Sequence, residues 1–145
     1  MTVKEKQKKI MVFGTFDGLH LGHLNFFKQA RRLAPKPFLI VSIARDKNVK
    51  IIKKNFPILK EKKRISLVKK SNLVDQVVLA GLNNHLPHIL KIRPDIIALG
   101  YDQKNYVPNL KKDLQNKGLI VKIIRLRAYK KNIYKNHLLK RERFI

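Results

Sequence analysis

Short, nearly unbroken apolar runs alternate along the chain with stretches in which apolar residues recur every three or four positions. Ile10-Met11-Val12-Phe13 is a run of the first kind, ended by Gly14. It reads as a buried strand. Gly22 to about Leu33 follows with Phe26, Phe27, Ala30 and Ala34 at helical spacing after His23, and Pro35 and Pro37 stop that helix. Phe38 to Ala44 predicts a second strand, and Asp46 to Leu59, rich in lysine and weakly periodic, predicts a loop. A helix is expected over Lys60 to Lys70, with Ile65 and Val68 facing inward.

Asp75 to Leu79 predicts a third strand, Leu86 to Ile92 a helix stopped by Pro94, and Asp95 to Leu99 a fourth strand capped by Gly100. Pro108 to Lys117 carries proline in its first turn and Gly118 just past its end, the asymmetry of a helix. Leu119 to Ile124 predicts a fifth strand, and Tyr134 to Arg143 a last helix. Strands this apolar, alternating with helices, predict an α/β fold: one Rossmann-like domain whose parallel five-stranded sheet carries helices on both faces. Residues 1–9 read as a basic N-terminal extension and residues 10–145 as the domain. Ligands of such sheets bind beyond the carboxyl ends of the strands, where strand order reverses. If the strands ending at Gly14 and Gly100 are neighbours, Thr15-Phe16-Asp17 and Tyr101-Asp102-Gln103 line one crevice.

Composition narrows the setting. With 145 residues and 44% hydrophobic content the chain has the size and core of one domain. It holds no cysteine, which excludes disulfides and thiolate metal sites and suits a cytoplasmic location. No apolar run is long enough to span a membrane, so none is expected as a partner. Lys and Arg number 34 against 9 Asp and Glu, a net charge of +25. Such a surface attracts polyanions without any specific site, non-specific nucleic-acid binding included. The lysines are spread along the chain among many Asn and Ile, which favours general composition plus a phosphate-handling site.

The chemistry concentrates in Gly14-Thr15-Phe16-Asp17-Gly18-Leu19-His20-Leu21-Gly22-His23. His20 and His23, three apart where a helix opens, can point to one side. The free N–H groups and partial positive charge of a helix start attract phosphate, and two imidazoles add donors. Gly22 lets a phosphate or flat base approach the backbone. Gly14 allows the tight turn, and Thr15 offers a hydroxyl and an N–H. An isolated histidine pair at this spacing more often packs into a core; the strand, glycine turn and helix around this one favour a site.

This segment resembles the hallmark of the cytidylyltransferase-like nucleotidyltransferases, and the chain is most similar within them to the archaeal-type FAD synthases. Three further stretches carry the resemblance, which runs from Ile10 to about Lys140: Ala44-Arg45-Asp46, Pro94 to Gln103, and Arg125 to Lys130. It implies the HIGH-type nucleotidyltransferase fold and transfer of a nucleoside monophosphate from a triphosphate to a phosphorylated acceptor, with pyrophosphate leaving. FMN adenylyl transfer from ATP is the foremost expectation. By resemblance, His20 and His23 are the catalytic residues at the triphosphate, and Thr15 and Phe16 contact phosphates through the backbone. Asp17 orients a basic partner or helps place a metal. Gly100, Asp102 and Gln103 lie beside the ribose or base, and Arg64, with Asp46, serves the acceptor phosphate. Mg²⁺ or another divalent cation bridges the phosphates, with no metal site of the protein's own expected and no tightly bound organic cofactor. Members of such families often form dimers, so a homodimer is one expectation.

One departure stands out. Where the family usually carries serines or threonines that hold the outer phosphates, this chain has Lys135, Asn136 and His137, which can still donate hydrogen bonds. Two other functions therefore stay open: a CTP-dependent cytidylyltransferase acting on glycerol 3-phosphate or a similar phosphorylated alcohol, and an impaired nucleotidyltransferase fold that binds nucleic acid. The first would carry Asp-Asp-Trp in place of Tyr101-Asp102-Gln103, which this chain lacks. The second predicts lysines gathered on one face.

Overall fold

The computed structural model describes residues 6–81, 85–103 and 107–128. Five strands, β1 (Lys8–Gly14), β2 (Pro37–Ile43), β3 (Gln76–Leu79), β4 (Ile96–Leu99) and β5 (Lys122–Arg125), form one sheet in the order β3-β2-β1-β4-β5. Every pairing is parallel. The helices are α1 (Leu21–Arg31), α2 (Asp46–Lys53), α3 (Glu61–Lys70), α4 (Leu86–Ile92) and α5 (Val107–Asn116). The expected α/β class, parallel five-stranded sheet and helices on both faces are all present.

The period of two along each strand separates two cores. Ile10, Val12, Leu39, Val41, Ile43, Ile96 and Ala98 pack with Phe27 and Ala30 of α1 and Val68 of α3. Met11, Phe13, Ile97 and Leu99 point the other way, onto Ile89 of α4 and Leu110 and Leu114 of α5. β1 is central and buried on both sides, which is why Ile10 to Phe13 shows no alternation in the sequence.

Two aspartates set the amino edge of the sheet. Asp75 and Asp95 each precede a short strand, and each carboxylate takes the amide of a neighbouring strand at 2.8 Å, Leu39 N–H for Asp75 and Lys9 N–H for Asp95. Asp75 also pairs with Arg31 of α1 at 2.8 Å. The regular ladders thus begin one residue later than the sequence predicts, because these side chains compete for the first amides.

Three larger differences from expectation concern β1, the segment after β2, and β5. β1 begins at Lys8, and Lys8 and Lys9 lie in register with Pro37 and Phe38, so these two residues of the expected basic extension are strand. Residues 46–53, expected as part of a loop, form α2. Of its residues whose burial is described, only Val49 is buried, and its eight residues are too short a stretch to stand out among the surrounding lysines. Its helicity depends instead on Asp46 in the first turn and on lysines in the last. The fifth strand starts at Lys122: Leu119 is used to close α5, its amide bonding Leu114 O at 2.9 Å. The expected helix over Tyr134 to Arg143 lies outside the described residues.

Phe27 is fully buried between α1 and β1. Phe27→Ala is expected to lower stability by about 3–5 kcal/mol, measured as a lower urea midpoint with an unchanged slope.

Candidate active site

β2 lies on one side of β1 and β4 on the other, so strand order reverses at β1, and the place where such sheets take ligands is beyond Gly14 and Gly100. The two glycine-terminated strands are neighbours, as the sequence reading required.

The turn after β1 is built tightly. Phe16 adopts a left-handed conformation, φ 51°, unusual for a bulky residue, and its ring is buried. The ring lies edge-on to His23 at 5.3 Å and against Phe27 at 5.3 Å. A Cβ on Gly14 would sit 2.6 Å from that ring, so Gly14 is glycine because Phe16 folds back over it. Phe16 is thus a packing residue by its side chain, whatever its backbone does toward phosphate.

His20 is the N-cap of α1. Its Nδ1 accepts the amides of Gly22 at 2.9 Å and His23 at 3.3 Å, while His23 Nδ1 accepts the amide of His20 at 3.4 Å. This is a capping box made of two histidines, with the rings stacked at 3.8 Å. An acceptor at Nδ1 places the proton of each neutral ring on Nε2. Burial pushes the His20 imidazole below its ordinary value. Burial, then His20 and the charge of Lys53, lower His23 to about 3 against an opposing hydrogen bond to the Gly18 backbone. Both rings are therefore neutral near pH 7, and the amides of Gly22 and His23, expected to face phosphate, are already bonded within the cap.

Arg64 differs most from expectation. It is fully buried, neither a solvated helix charge nor presented to the crevice. Its Nε donates to Leu59 O at 3.0 Å, its Nη1 to Thr15 O at 2.8 Å and Ala44 O at 2.7 Å, and its Nη2 to Asp46 Oδ1 at 2.6 Å. Asp46, expected beside an acceptor, is this guanidinium's counter-ion, and its own amide bonds Glu61 at 2.8 Å. Asp17 takes the amides of Ile58 and Leu59, both at 2.7 Å, which engages both carboxylate oxygens with the loop before α3 in place of a basic partner or metal. Among the described residues no three His, Cys, Asp or Glu side chains gather to hold a metal ion.

Across the crevice, Gln103 donates to Phe13 O at 2.8 Å and accepts the Gly100 amide at 2.8 Å. Both ends of its amide join β4 to β1, while Asp102 beside it is exposed. Arg125 holds the turn by donating to Gly100 O and Gln103 O, each at 2.8 Å. The sequence reading gave Arg125, Lys53 and Glu61 no role. Nothing local in the sequence marks the carbonyl partners of Arg125, which are 22 and 25 positions away. Lys135, Asn136 and His137 lie outside the described residues.

Paired histidines at a helix start, beside the point where strand order reverses, are the features of a nucleotide-handling α/β protein. The chain belongs to the cytidylyltransferase-like family, whose model matches residues 11–141. It is 45% identical to the FAD synthase of Korarchaeum cryptofilum over 84% of this chain and 83% of that one. It is 42% identical to the FAD synthase of Methanosarcina barkeri over 81% and 82%. The solved structure of a Thermoplasma volcanium protein described as a lipopolysaccharide core biosynthesis protein superposes with a TM-score of 0.78 at 34% identity, covering 84% of this chain and 98% of that one.

Two outcomes are expected. Asp46→Ala leaves a buried guanidinium without its anion and costs about 2–4 kcal/mol in urea unfolding, below a fully buried pair because Asp46 keeps 27% exposure. A histidine held neutral by the fold takes up protons only on unfolding, so stability is complete above about pH 6.5 and falls as pH drops toward 3. Between pH 6.5 and 5 that fall should be smaller in His23→Gln, by up to about 2 kcal/mol.

Proposed function

We propose that this chain is an FMN adenylyltransferase: an FMN phosphate oxygen attacks the α-phosphorus of ATP, a P–O bond forms, and pyrophosphate leaves with the electrons of the broken bond. No covalent enzyme intermediate is required. The observation that carries the reading is the stacked His20–His23 pair, locked as neutral rings at the start of α1 beside the β1–β4 crevice. The FAD synthase relatives, 35–45% identical, support the acceptor and nucleotide.

In this reading His20 is the catalytic donor. Its Nδ1 is committed to the cap, so its Nε2–H is the edge that meets a phosphate oxygen and stabilises charge as the pentacoordinate phosphorus forms. His23 positions His20 by stacking on it and by capping its amide. Exposed Asp102 serves the ribose or base, and Gln103 and Gly100 shape that wall. Magnesium arrives with the triphosphate as part of the substrate. Arg64 and Asp46 act on the acceptor only indirectly, by fixing the turns around it. Catalysis is then positioning plus charge neutralisation.

The test pairs ATP or CTP, with Mg²⁺, against FMN or glycerol 3-phosphate and follows pyrophosphate release. FAD formation from ATP and FMN is expected. CMP transfer with FMN inert would establish the cytidylyltransferase reading instead, and no turnover with any pair would overturn both. His20→Ala should lower turnover by at least ~100-fold; near-normal activity would remove His20 from the mechanism.

A further inference from the structure

Six large apolar side chains are exposed among the described residues: Leu21, Ile51, Phe56, Ile58, Tyr101 and Ile120. Three of them, Ile51 at 76%, Phe56 at 60% and Ile58 at 63%, fall within eight residues of one excursion between β2 and α3. Both ends of that excursion are fastened to the carboxyl edge of the sheet. Asp46 is tied to Arg64 and Glu61 at its start, and Asp17 of the histidine-bearing turn grips the amides of Ile58 and Leu59 at its end. Both ends of the segment therefore lie beside the histidine-bearing turn. Its α2 helix ends in Lys53, whose charge is felt by His23.

The surface it presents has a specific chemistry. Lys50 Nζ lies 4.5 Å from the centre of the Phe56 ring, a cation over an aromatic face. Residues 47–63 contain seven lysines. Of the two acidic residues between 46 and 63, Asp46 is spent on Arg64 and Glu61 accepts the Asp46 amide. An exposed aromatic ring with cations beside it, at the edge of a phosphate-transfer site, fits a planar ring system that carries a phosphate monoester. Placement agrees: the excursion follows β2, on the side of β1 opposite β4 and the Gly100–Gln103 turn. In an in-line displacement the attacking and leaving oxygens lie on opposite sides of phosphorus, so acceptor and triphosphate need separate walls.

We propose that Phe56, flanked by Ile58 and Lys50, is the platform on which the acceptor's isoalloxazine ring stacks, with Lys53 drawing its phosphate toward His20. This rests on FMN being the acceptor. Phe56 is a binding residue and takes no part in the bond change.

The test titrates the full chain into FMN and follows quenching of flavin fluorescence, with ATP affinity measured separately by calorimetry. Phe56→Ala should weaken FMN binding about tenfold or more, the loss expected from removing one stacked ring, and leave ATP affinity within about twofold. Phe56→Tyr, which restores a ring, should bind FMN within about threefold of the unaltered chain. Ile120→Ala, which removes a still more exposed apolar side chain just before β5, should change neither. Circular dichroism checks that each variant is folded. If the unaltered chain binds FMN and Phe56→Ala binds it equally well, the platform is overturned while adenylyl transfer stands. If the unaltered chain neither binds FMN nor forms FAD, both fall.

Discussion

A single buried guanidinium organises the carboxyl edge of this sheet. Arg64 reaches back from the first turn of α3 to carbonyls at Thr15, Ala44 and Leu59, which follow β1, follow β2 and precede α3. Three segments distant in sequence thus converge on one planar cation, and Asp46 supplies the charge that makes its burial tolerable. A lysine could not replace it, because only the planar fork offers donors in enough fixed directions at once. The histidine-bearing turn, the α2 excursion and the start of α3 inherit their relative positions from this contact.

Much of the fold was legible because its strands are short, apolar and punctuated. Gly14, Pro35, Pro94, Gly100 and Gly118 mark the ends of elements in the sequence as they do in the structure. What escaped notice follows from two physical causes. α2 spans only eight residues, about two turns, so the period of its few apolar residues is lost in the lysine-rich stretch around it. The partners of Arg64, Asp17 and Arg125 are backbone groups, which any residue supplies and no residue type announces. The sequence could therefore show that Arg64 and Asp17 lie near a site, but their direction, inward to carbonyls and to a loop, depends on tertiary convergence.

The same distinction divides the candidate site. The histidines were readable as a pair at a helix start, and that is where they stand. That each caps the other's backbone was not readable, since capping is ordinarily the work of serine, threonine, aspartate or asparagine. Gln103 is a similar case: its position in the crevice followed from the neighbouring strands, whereas its amide bridges Phe13 and Gly100. Around the crevice a rigid inner layer of caps and clasps supports an outer rim of exposed rings and lysines.

The histidine cap carries a further consequence. The ring that starts helix α1 is the ring that would touch phosphate, its Nδ1 serving the cap and its Nε2 the ligand, so the two tasks rest on one side chain. Any lineage that abandoned the chemistry would need a new cap before it could discard the histidines, and drift at these two positions would first be felt as fraying. Retention of both side chains is thus enforced twice, once by the ligand and once by the fold.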